Sequence, residues 1–164
     1  MDEARVIYQA FLDHTSQAAW DRDFETVADA MAYPHYIGTR GREVTVPDRA
    51  SLITLARDFR DNLHTLGATA YYRICRGATF GGDAQDQING LHETFVLRGA
   101  TMLLTPFTGT MTLILRNGTW HGAGIRSDVR NADLRINAAP LPHTGACAPN
   151  EHSGPAGPKT EDKT

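Results

Sequence analysis

The 164-residue chain is long enough for one domain with a core of its own. Its 41% hydrophobic and 21% charged content is ordinary for a globular protein, and a net charge of −3 without any run of Lys or Arg gives nucleic acid or an anionic membrane surface no electrostatic footprint. No apolar stretch nears the ~18 residues of a membrane span, the acidic start Met1-Asp2-Glu3-Ala4-Arg5 runs into a helical pattern unlike a signal peptide, and Cys75 and Cys147 lie far apart, so the expectation is a cytoplasmic protein with no structural disulfide.

The first element is a helix over about 3–19. Ala4, Ile7, Tyr8, Phe11, Leu12, Thr15, Ala18 and Ala19 form one stripe at helical spacing. Asp21 or Asp23 then caps a short second helix with Phe24, Val27, Ala28 and Met31 inward. Tyr33-Pro34 should stop it, because a residue before proline disfavours helix. A small hairpin follows, 35–40 and 42–46 around Gly41, with Val44 and Val46 alternating with polar neighbours. Pro47-Asp48 opens a third helix whose stripe is Leu52, Leu55, Ala56, Phe59, Leu63 and Leu66, and Gly67 ends it.

From there the hydrophobic period changes from helical to alternating. Strands are expected over 69–76, 88–98, 101–116 and 120–127, with a turn at Gly81-Gly82-Asp83 and a reversal near Gly99. Pro106 and Gly109 predict a bulge or bend in the long third strand, since proline cannot donate to the ladder. Asn117-Gly118 is a strong hairpin signal, because a type I′ turn needs positive φ at both positions. Beyond about residue 135 the composition shifts. Five of the eight prolines fall there, and no aromatic residue occurs after Trp120. Such a segment cannot bury enough apolar surface to offset its ordering entropy. The expected division is a domain over 1–135 and a disordered tail over 136–164.

The motif search is mostly negative. There is no dinucleotide fingerprint, phosphate loop or serine elbow, so no cofactor is expected. His92-Glu93 and His121 lie on strands expected to be neighbours or nearly so. A His pair with a carboxylate would suit a metal, but adjacent strand residues point to opposite faces, and no His-x-His or His-x-x-x-His spacing occurs. No metal is therefore expected. Arg73 and Arg98 lie in strand patterns. Facing inward, a guanidinium there would hold an anionic substrate; facing outward, it would belong to a solvated or dimer-forming sheet face. Tyr71 and Tyr72 are adjacent, so one ring faces each side of the sheet. Trp20 and Tyr33 flank the second helix, where each would either line a pocket mouth or pack ordinarily. Cys75 has no partner at redox spacing and reads as inert core.

The Trp20-Asp21-Arg22-Asp23-Phe24 link, the Ala32-Tyr33-Pro34 stop and Asn117-Gly118-Thr119-Trp120 before the last strand, in this order of elements, resemble the nuclear transport factor 2-like (SnoaL-like) superfamily over roughly residues 4–130. The resemblance implies an α+β cone: three N-terminal helices on a strongly curved antiparallel sheet, with a pocket between them. It implies a homodimer through the sheet faces away from the helices. It names no single activity, because the superfamily holds isomerases, cyclases, dehydratases, dioxygenase subunits and plain binding domains. Its proton-moving enzymes place a carboxylate base near the hairpin after the second helix. Here that stretch, His35-Tyr36-Ile37-Gly38-Thr39-Arg40, has no Asp or Glu, and His35 is the candidate base in its stead. The resulting expectation is a pocket for a small, mostly apolar molecule. His35 would be catalytic there, with Trp20, Tyr33, Tyr71, Arg73, His92 and His121 as candidate ligand contacts. The alternative is a non-catalytic dimeric interaction module.

Overall fold

The computed structural model describes residues 2–134. The expected boundary at 135, the tail beyond it and Cys147 lie outside the described residues. Helix α1 (Glu3–Trp20) starts where the Asp2 carboxylate accepts the Ala4 N–H at 3.2 Å, and it buries Ala4, Tyr8, Phe11, Leu12, Thr15 and Ala18. Helix α2 (Phe24–Asp29) is capped by Asp23, which accepts from the backbone N–H and the hydroxyl of Thr26.

α2 ends before Tyr33-Pro34, earlier than the proline argument placed it. Met31 and Tyr33 belong to strand β1 (Met31–Arg40). The cause is tertiary: the Gly122 N–H donates to the Ala30 carbonyl at 2.9 Å, so the sheet takes the chain as soon as the helix ends. Pro34 falls where the ladder of β1 is interrupted, between Met31 and Tyr36, and no hydrogen bond is lost to its missing N–H.

β1 turns at Gly41 into β2 (Arg42–Val46), and α3 (Arg49–Thr65) follows. The Asp48 carboxylate accepts the Ser51 N–H at 2.8 Å, and Gly67, at φ +76°, closes the far end. The meander is β3 (Ala70–Gly81), β4 (Gln87–Arg98), β5 (Thr101–Met102), β6 (Phe107–Arg116) and β7 (Thr119–Arg130). A short helix, α4 (Asn131–Leu134), ends the described part. The single strand expected over 101–116 is thus two, with Pro106 in the gap. Gly109 lies in regular pairing opposite His92 and Ser127, and the register shifts among the antiparallel pairs fall elsewhere, at Cys75/Gly77 and at Thr112/Leu113.

The sheet runs β2-β1-β7-β6-β4-β3, with β5 on β4. It is mixed, not purely antiparallel, because β1 and β7 pair parallel. Strands joined by a short turn must be antiparallel, whereas β1 and β7 share no hairpin that sets their direction. The helices cover one face. α1 lies on β3, α2 lies on α3, and the core residues of the sheet (Ile88, Val96, Met111, Leu113) point toward them. Among the described residues, no helix is long and apolar enough to cross a membrane.

Candidate functional site

Between α1, α3 and the inner sheet face lies a cavity of about 130 Å³. Its apolar wall includes Val27, Ile37, Leu55, Phe59, Met111 and Ile125. Its polar side chains are Thr15, His35, Tyr71, Arg73, Thr94 and Ser127, and no Asp or Glu lines it. The Tyr71 ring stands edge-on to Phe59, 5.5 Å between centroids, which fixes that wall.

His35 is brought inward by the alternation of β1 and is 2% exposed. Its Nδ1 lies 2.9 Å from the Gly122 carbonyl oxygen. A carbonyl only accepts, so Nδ1 carries the hydrogen and Nε2 keeps the lone pair. Burial holds the imidazolium pKa below the ordinary histidine value, and the bond to Gly122 only partly opposes this. His35 is therefore a neutral base at pH 7.

Arg73 is 7% exposed and also faces inward. Its Nε donates to Ser16 Oγ at 2.8 Å, and its Nη2 donates to Thr15 Oγ1 at 2.6 Å and to the Leu12 carbonyl at 3.2 Å. Thr15 donates its own hydroxyl to the Phe11 carbonyl at 2.8 Å, which turns an oxygen lone pair toward the guanidinium. Gln9 ties the same helix to the edge strand, donating to the Arg73 carbonyl and accepting the Cys75 N–H. Every one of these partners is neutral. Among the described residues, no carboxylate forms an ion pair with Arg73.

The other candidates lie away from this cavity. His92 is fully buried, with Nδ1 2.7 Å from the Tyr8 hydroxyl and Nε2 packed on Gly109 without a hydrogen-bond partner. Burial first, and the charge of Arg73 second, push its pKa down to about 3. Glu93 faces the opposite side and pairs with Arg76 at 2.5 Å. His121 lies on the outer face opposite Ile114, and its Nδ1 donates to the Thr119 carbonyl at 3.1 Å. The Trp20 ring carries the Arg60 guanidinium 4.1 Å from its centroid. The Tyr33 hydroxyl donates to the Ala28 carbonyl at 2.6 Å. Of the seven candidate side chains, the fold brings His35, Tyr71 and Arg73 to one cavity. Sequence reasoning missed Thr15 and Ser16 as the cradle of Arg73. The available signal was two adjacent hydroxyl residues at the buried stripe of a helix.

No family model and no curated protein matches the chain. Solved structures do. An NTF2-like protein with a cystatin-like fold from Novosphingobium aromaticivorans matches at TM-score 0.60 and 15% identity, over 82% of this chain and 89% of its own. Aln2 from a Streptomyces species matches at TM-score 0.61 and 14% identity, over 85% and 98%. A domain of unknown function with a cystatin-like fold from Nostoc punctiforme matches at TM-score 0.60 and 13% identity, over 79% and 80%. At such identities the likeness concerns architecture, and the chain accordingly has the nuclear transport factor 2-like, cystatin-like cone fold.

Proposed function

We propose that the chain binds a small, mostly apolar, carbonyl-bearing molecule in the cavity and moves a proton on it without a cofactor, with His35 as the general base. The observation that carries this reading is a neutral imidazole, its Nδ1 hydrogen committed to Gly122, on the wall of an apolar cavity. A base in that state takes a proton at Nε2 without first having to lose one. Tyr71, on β3 and so across the sheet from His35, is the phenol that lines the same cavity and would donate to the developing enolate oxygen.

The test uses cyclohexanone in D2O with the full chain. NMR should show shifts of the Ile37, Leu55 and Met111 methyl groups and catalysed exchange of the α-protons. His35→Asn keeps a donor toward Gly122 and removes the base. Exchange should fall by about 100-fold, within the range of general base catalysis, while the methyl shifts persist. Shifts without catalysed exchange in the unmodified chain would sink the catalytic part and leave a binding domain.

A second reading, a homodimeric module, is favoured by the outer sheet face. Leu91, Tyr36 and Tyr72 are exposed there, and Tyr72 stacks on Phe95 with 5.1 Å between centroids. Apolar side chains of this size on a two-sided sheet suit a second copy of the chain.

A further inference from the structure

We infer that the occupant of the cavity is a small carboxylic acid, about one ring in size, whose carboxylate pairs with Arg73. The inference rests on the cavity being a ligand site, as proposed above, and adds the chemical class. A guanidinium is always charged, and burying it without a counter-charge is costly. Arg73 is buried, yet it rests only on hydroxyl and carbonyl oxygens. Its Nη1 makes no hydrogen bond among the described residues and is not one of the sealed, unpartnered atoms, so a ligand can reach it. The other guanidinium nitrogens are fixed by α1, so the free one is held in place rather than left to swing.

The surroundings favour an anion further. No carboxylate lines the cavity, so nothing within it competes for the charge. Thr94 stands directly opposite Arg73 in the β3–β4 ladder, so one hydroxyl donor accompanies the guanidinium, while Ser127, on β7, lines the cavity farther along the sheet. Apart from His35 and Tyr71 the remaining wall is apolar and receives a hydrocarbon body that carries the reactive carbonyl. Size sets the scale: an engineered apolar cavity of roughly 150 Å³ takes benzene, and this one is about 130 Å³. A single cation beside one hydroxyl suits a monoanion. A phosphate dianion would leave charge unpaired among Leu, Ile and Phe.

Benzoate and benzamide are the probes, titrated against the full chain by NMR and calorimetry at neutral pH. The pair differs in charge and hardly in shape. Benzoate should bind at least tenfold more tightly than benzamide, with shifts at Met111 and Ile125. Arg73→Met should remove that preference while leaving benzamide within about twofold. The comparison in the unmodified chain needs no variant, so it stands even if Arg73→Met does not fold. Equal binding of the two probes would overturn the inference and leave the cavity reading intact. Binding of neither would overturn both.

Discussion

At the scale of single residues, the price of polar burial is a pH dependence. His92 is sealed in the core, with one nitrogen on Tyr8 and the other on nothing. Its pKa in the folded chain is pushed down to about 3, whereas an unfolded chain protonates it near 6.5. The unfolded state therefore binds more protons below pH 6.5, and stability falls as pH drops through that window toward 3, by at most about 1.4 kcal/mol per pH unit for one group. His35 is shifted the same way and adds the same sign. Between pH 6.5 and 5, where carboxylates scarcely titrate, urea melts should show this slope, and His92→Asn should flatten it relative to the unmodified chain. An unchanged slope would mean that His92 is charged when folded. The alternation of strand side chains already placed His92 and Glu93 on opposite faces. What it left open was which face held the helices.

At the scale of elements, local chemistry settled most boundaries. Asp23 and Asp48 cap their helices through the N–H three residues on, and Gly67 ends α3 at positive φ, because these interactions span only a few residues. The Asn117-Gly118 turn is equally local, with φ +51° and +77°. Nothing surrounds Gly118 within 4 Å of where a Cβ would stand. Gly118→Ala should therefore cost only the left-handed backbone strain, about 1–2 kcal/mol, read as a lower urea midpoint with an unchanged m-value. Failures occurred where another element intervened. α2 stops because β7 takes the Ala30 carbonyl, and no residue near Tyr33-Pro34 records that contact.

At the scale of the whole molecule, the sheet has two faces with different work. The inner one meets the helices and encloses the cavity. The outer one exposes Leu91, Tyr36 and Tyr72 beside a row of threonines on β6. If that face joins two copies, sedimentation velocity should give a dimer at micromolar concentration. Leu91→Glu should then shift it to monomer with the circular dichroism spectrum unchanged, because a carboxylate covered by the second copy would be desolvated without a counter-charge. A monomer from the unmodified chain would remove this reading.

The sequence by itself determined the class of fold and the order of its elements. Helical and alternating periods, caps and turn residues act over a few positions, and each is written where it operates. It also narrowed the polar candidates to a short set including His35, Tyr71 and Arg73. Only the tertiary structure decided which of them share a cavity, that β1 runs parallel to β7, and that the Arg73 charge is cradled by Thr15 and Ser16. Those outcomes depend on register and on contacts between residues far apart in the chain. A shift of one residue reverses the facing of every side chain in a strand, and no local pattern reports which strand will lie alongside.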